Sequence, residues 1–203
     1  MLQILKLCFS YPDRTLFTDW SAYVGPGVTL IRGGDGRGKS PLLRLLAGLL
    51  APDAGELHIH GVSLHDAPEV YRAKVFFIEP RTEAFDALTP VQYFDMQRLR
   101  HPAFDDRLLA QLVDGLSLEE QMAKQLYMLS TGSKRKVFLA AAFASGAAVT
   151  LLDMPFAALD KASIGFVMGL LEDASAHSER AWVVADYAAP ANVRLASVID
   201  LGD

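Results

Sequence analysis

The residues best placed to do chemistry form one contiguous run, Gly33-Gly34-Asp35-Gly36-Arg37-Gly38-Lys39-Ser40, with the spacing G-x-x-x-x-G-K-[ST]. Glycines at the fixed positions let successive backbone N–H groups turn inward towards an anion. Lys39 adds a cation long enough to reach the outer phosphates of a nucleotide, and the Ser40 hydroxyl is a hard oxygen ligand suited to Mg²⁺. Such a loop needs a strand before it and a helix after it, because the helix N-terminus supplies more N–H groups and the positive end of its dipole. Val28-Thr29-Leu30-Ile31 reads as that buried strand and Leu42 to Ala47 as that helix. These residues imply a phosphate cradle. Pro41 follows directly and lacks an N–H, but the first turn of a helix has no intrahelical use for that group.

The elements that hold the loop follow from the apolar pattern. Leu2 to Phe9 alternates like an edge strand, and Glu56 to Ile59 is a short strand entered through the turn Pro52-Asp53-Ala54-Gly55. Val75 to Ile78, Val149 to Leu152 and Trp182 to Ala185 are apolar runs. The last two read as buried parallel strands, and a final short strand surrounds Val198-Ile199. From Thr89 to about Tyr127 the pattern reads as helical throughout. Thr89-Pro90 marks an N-cap with proline in the first turn, and Ser117-Leu118-Glu119-Glu120 marks a capping box. Strands alternating with helices, interrupted by a helical block, predict an α/β sheet with a helical subdomain.

Composition fits this plan. The chain has 203 residues, 51% of them hydrophobic, which is ample for a core. No apolar run approaches the ~18 residues of a membrane span. A formal charge of −5 argues against nucleic acid as a partner, and the single cysteine, Cys8, excludes an internal disulfide. Cys8 reads as a small core residue. His58 and His60 stand two apart, as metal ligands on a strand can, but no Cys or carboxylate is spaced to complete a site. Lys134-Arg135-Lys136 reads as a solvated helix face, and Phe76, Phe77, Phe85 and Phe94 as mostly core.

Several segments, taken in order, resemble the nucleotide-binding domain of the ABC (ATP-binding cassette) ATPases. Tyr11 precedes the loop at 33–40, and Leu49 to Glu56 is similar to the segment after the family's first helix. Leu129-Ser130-Thr131-Gly132-Ser133 stands where the family carries L-S-G-G-Q. Leu151-Leu152-Asp153 resembles the end of the Walker B strand, and Ala158-Leu159-Asp160 the D-loop. The resemblance implies a P-loop NTPase core sheet with a helical subdomain at about 83–140, within one nucleotide-binding domain spanning 1–203. It implies ATP and Mg²⁺ as cofactors, with adenine on Tyr11, phosphates at residues 33–41 and the metal at Ser40 and Asp153. Ser130 and Gly132 would close over nucleotide held by a second nucleotide-binding subunit, identical or an intact homologue, in a head-to-tail dimer. The remaining implied partner is a separate integral membrane subunit, which would keep the chain cytoplasmic, at the inner face of the membrane. The short length is similar to the ATPases of bacterial exporters such as the haem exporter of cytochrome c maturation. A non-transport, ATP-dependent clamp of the same family is the alternative.

The departures from the family pattern are informative. Met154 stands at the position of the glutamate that orients the attacking water, and a thioether cannot take the water's proton. Asp186 stands at the position of a histidine that contacts the γ-phosphate. The glutamine that touches Mg²⁺ is replaced by Glu79, Pro80 or Arg81, depending on alignment. Pro41 replaces a Thr or Ser that helps hold the α-phosphate. Together these changes imply nucleotide binding with impaired hydrolysis and no intact catalytic residue.

Overall fold

The computed structural model describes residues 1–79, 82–177 and 179–202. In chain order the elements are β1 (Leu2–Tyr11), β2 (Arg14–Val24), β3 (Gly27–Arg32), α1 (Lys39–Leu46), β4 (Ala54–Ile59), β5 (Val62–Ser63), α2 (Pro68–Ala73) and β6 (Val75–Ile78). There follow α3 (Pro90–Arg100), α4 (Asp106–Gly115), α5 (Thr131–Ala144), β7 (Val149–Asp153), α6 (Lys161–His177), β8 (Ala181–Ala185) and β9 (Leu195–Asp200). The strands make a parallel sheet of order β6-β7-β8-β3-β9 and an antiparallel sheet of order β2-β1-β4-β5.

Two apolar cores follow from the period-2 alternation of the parallel strands. Ile31, Val149, Leu151, Val183 and Ala185 pack with Leu42, Leu43, Leu45 and Leu46 of α1 and with Leu2, Ile4 and Leu7 of β1. On the other side Val28, Leu152, Trp182 and Val184 pack with α5 and the helical block. Each fully buried α1 leucine is worth about 1.5–3 kcal/mol of transfer free energy, so α1 is fastened along its length and its N-terminus is held in place.

Three sequence expectations change here. β1 is not an edge strand: it pairs antiparallel with β2 on one side and β4 on the other. Its neighbour β2 is mostly exposed and mixes polar with apolar residues without a strict alternation that would announce it. The stretch from Thr89 to Tyr127 is not one continuous helical pattern. Thr89 does cap α3 through a reciprocal capping box with Gln92, and Pro90 takes the first turn. α3 then stops at His101, which is extended, as a residue preceding proline must be. Asp105 restarts the chain as α4 by accepting from the Leu108 N–H at 2.9 Å. Ser117 caps nothing: it adopts a left-handed φ of 54° at the end of α4, while the Leu118 N–H turns back to the Val113 carbonyl.

Phe94 is buried, and half-buried Phe85 packs on Tyr93 and Phe138, so neither ring is exposed. His58 pairs with Glu56, whereas His60 lies past the end of β4 in a turn with φ 51°. Cys8 is only half-buried, and its Sγ accepts from the Asp19 N–H. Among the described residues no helix is long and apolar enough to cross a membrane.

Candidate functional site

Register places the site. Asp153 at the end of β7 lies beside Ala185 of β8, and Ala185 lies beside Ile31 of β3. The three parallel strands therefore finish level, and the loops leaving their C-terminal ends share one edge, the place where open α/β sheets bind ligands. The Met154 N–H extends the ladder to the Ala185 carbonyl at 2.9 Å, and the Asp186 N–H extends it to Ile31 at 3.1 Å.

The loop after β3 wraps the N-terminus of α1. Gly38, the cap residue, has a φ of 95°, which a side chain would resist, and the helix start has neither a side-chain cap nor an acidic residue in its first turn. Its N–H groups are thus left to a ligand. Pro41 sits in the first turn, and α1's ladder starts with the Leu42 N–H on the Gly38 carbonyl. In front lies a cavity of about 340 Å³ lined by Tyr11, Arg14, Leu16, Asp35, Gly36, Arg37, Gly38, Lys39, Ser40, Pro41, Asp153, Met154 and Tyr187. Tyr11 is half-exposed and stands edge-on against Phe9, which steadies its ring at the cavity mouth. Gly33 and Gly34 do not line the cavity. Their carbonyls receive Lys39 Nζ at 2.5 and 2.9 Å, and the Gly34 N–H is held by the Gly202 carbonyl.

Asp153 is buried, and its Oδ1 has no hydrogen-bond partner among the described residues. Burial pushes its carboxyl above the usual range, against a hydrogen bond from Ser40 and the positive charges of Lys39, Arg135 and Arg44. Such an atom beside a serine hydroxyl has the character of a half-built ligand set for a hard cation. Among the described residues no group of three His, Cys, Asp or Glu could hold a metal by itself. A Mg²⁺ here would therefore take most of its oxygens from phosphate and water, as that ion commonly does.

Met154 and Asp186 sit at the same edge. Met154 has a left-handed φ of 48°, and its carbonyl accepts from the buried Arg135 guanidinium. Asp186 is half-buried. Burial raises its carboxyl, opposed by the Tyr187 N–H at 2.7 Å and by the charge of Lys39. Glu79, at the end of β6, is ion-paired with Arg44 of α1. Pro80 and Arg81 lie outside the described residues.

Ser130 and Gly132 are not brought to this cavity. Ser130 caps α5, its Oγ accepting from the Ser133 N–H at 3.1 Å. A Cβ added to Gly132 would stand 2.5 Å from the Ala158 carbonyl oxygen, so the helix start lies against the turn after β7. The three cations that follow are not a solvated face. Lys134 pairs with Asp86, Arg135 holds the Met154 carbonyl, and Lys136 pairs with Asp160 at 2.6 Å. Lys136 and two hydrogen bonds from Ser163 hold the Asp160 carboxyl well below the usual range.

The sequence reading misses Arg14, Leu16 and Tyr187 as walls of this cavity. Tyr187 matters most. Lys39 Nζ lies 4.4 Å from the centre of its ring, and its hydroxyl donates to Asp35.

A P-loop sheet with a helical insertion, and a cradle at the C-terminal edge of that sheet, define a nucleotide-binding cassette by class. The family model described as ABC transporter matches residues 18–157, and the chain belongs to that family. Over 169 residues it is 30% identical to the cytochrome c biogenesis ATP-binding export protein CcmA of Tatumella citrea, covering 83% of this chain and 80% of that one. It is 31% identical over 185 residues to the manganese transport system ATP-binding protein MntB of Listeria monocytogenes, covering 84% and 74%. In fold it is similar to an ATP-binding subunit of an ABC transporter, with a TM-score of 0.84, 23% identity and 92% and 79% of the two chains covered. It is also similar to the dimeric bacterial ABC transporter cassette MJ0796, with a TM-score of 0.77, 20% identity and 93% and 88% covered.

Proposed function

We propose that this chain is the ATP-binding subunit of an ABC transporter, holding Mg-ATP in the 33–41 cradle and turning it over slowly. One observation carries the binding reading: Lys39, Ser40 and buried Asp153 converge with Tyr11 on a single cavity at an uncapped helix N-terminus. Adenine would lie against Tyr11, the phosphates would meet the α1 N–H groups and Lys39, and Ser40 with Asp153 would hold Mg²⁺. The names of the CcmA and MntB relatives support the ATP-binding role and the transport setting.

Slow turnover rests on chemistry at the strand ends. Met154 offers no carboxylate to a water beside the terminal phosphate, and Asp186 brings negative charge to the edge where negative charge would build. Ser130 and Gly132 lie away from the chain's own cavity, which fits a second subunit docked head-to-tail. The helical subdomain, about 83–140, is the surface we assign to a separate membrane subunit, which would place the chain on the cytoplasmic side.

Calorimetric titration of the chain with Mg-ATP, beside Lys39→Ala, tests the binding reading. Removing a charge-assisted phosphate contact is expected to weaken binding by about tenfold or more. Equal affinities for the two proteins would refute it.

A further inference from the structure

The Lys39 ammonium has its donors committed within the chain. Two meet the Gly33 and Gly34 carbonyls, and the remaining side faces the Tyr187 ring. The Tyr187 hydroxyl then donates to Asp35, back on the cradle itself. Residues 35 and 187 thus form a strap from the loop after β8 to the loop after β3, with the lysine beneath it.

The strap stands at the junction of two cavities. A second cavity, of about 400 Å³, adjoins the first, and the two share Ser40, Asp153, Met154 and Tyr187 as walls. A nucleotide entering past Tyr11 places its inner phosphates against residues 36–41. In that pose the terminal phosphate of a triphosphate extends towards Asp153, Met154 and Tyr187, the shared walls beyond the cradle. There it meets the face of a phenol, a lysine already engaged, and the Asp35 and Asp186 carboxylates nearby. The Asp35 hydrogen bond also raises the phenol above its ordinary range, so Tyr187 stays a neutral donor.

We propose that Tyr187, strapped to Asp35, is a specificity-determining residue that makes the cradle favour a nucleoside diphosphate over a triphosphate. The proposal rests on the nucleotide reading of the cradle and deepens it. A diphosphate leaves the strap closed. A triphosphate must open it, and its apparent affinity falls by the fraction of molecules in which the strap is open.

The test is calorimetry on the full chain with Mg-ADP and Mg-ATP as probes. The unaltered protein is expected to bind ADP about tenfold more tightly than ATP, and Tyr187→Ala to shift the ATP-to-ADP affinity ratio by about tenfold towards ATP. Tyr187→Phe keeps the ring and removes the bond to Asp35, and is expected to fall between. Tyr187 is 52% exposed, so both variants should fold, and a melting curve confirms it. An ATP-to-ADP ratio unchanged in Tyr187→Ala, or shifted there towards ADP, overturns the strap and leaves the nucleotide reading standing. If neither nucleotide binds the unaltered protein, both readings fall.

Discussion

Two helix starts in this chain carry similar residues and use them in opposite ways. α1 begins with Gly38, Lys39 and Ser40, and α5 with Ser130, Thr131, Gly132 and Ser133, followed by three cations. At α1 no side chain caps the helix, and the free N–H groups face an open cavity. At α5 the chain satisfies itself: Ser130 fills the cap, and the glycine and all three cations are spent on neighbours within the chain. A glycine, a hydroxyl and a lysine at a helix start therefore do not announce an anion site. What distinguishes the two is whether the backbone donors are left over.

The two starts are also mechanically joined. Arg135 of α5 grips the Met154 carbonyl, and the Met154 N–H is tied to Ala185, so this residue is fixed at both ends beside the α1 cavity. A carboxylate placed at 154 would leave the same Cα, at the same left-handed φ that methionine already accepts. Met154→Glu should therefore give the largest effect of any single change, raising steady-state phosphate release from Mg-ATP by about 10²-fold or more. Turnover that is already brisk without the substitution, or no gain with it, would break the slow-site reading.

What the sequence reveals divides along the same line. The cradle is legible because its residues are consecutive and each has one physical task. β7 and β8 are legible because every residue in them is buried and apolar patterning has nothing to compete with. Tyr187, Arg14 and Leu16 reach the cavity from two other elements, and no spacing rule joins position 16 to position 187. Lys134–Lys136 is read as solvated because partners at Asp86, Met154 and Asp160 are invisible until α5 is laid on them. Ser117-Leu118-Glu119-Glu120 has the letters of a capping box, but a preceding helix uses its first residue as an ending.

The α5 side of the comparison makes a stability prediction of middle size. The 2.5 Å approach of a Cβ to the Ala158 oxygen is against backbone, which cannot rotate away. Gly132→Ala should lower unfolding stability by about 1–3 kcal/mol, as overpacking usually does, measured by urea titration. Mg-ATP affinity of the isolated chain should be unchanged, because Gly132 does not border the cavity. A loss of affinity without a loss of stability would mean that α5 serves this chain's own nucleotide after all.

The smallest effect is expected at Asp153, and its sign is informative. The folded carboxyl titrates above its ordinary value of 3.8, chiefly through burial, against Ser40, Lys39, Arg135 and Arg44. The folded chain therefore holds this proton more tightly than the unfolded chain does. As pH rises from 3.8 through the folded value, that advantage disappears and stability falls, remaining at the lower level towards neutrality. Asp153→Asn is nearly isosteric and removes the ionisation. It should flatten this limb of the pH–stability curve and raise the melting temperature slightly at neutral pH, as charge-relieving changes at functional sites commonly do. It should also remove most of the stabilisation that Mg²⁺ adds in the presence of ATP, since one oxygen of the proposed ligand pair becomes an amide. Melting curves from acid to neutral pH, with and without Mg-ATP, read both effects. An Asn variant that melts lower at neutral pH would show that the three surrounding cations, rather than burial, dominate at Asp153. The carboxylate would then be a structural ion partner and not a ligand held in readiness.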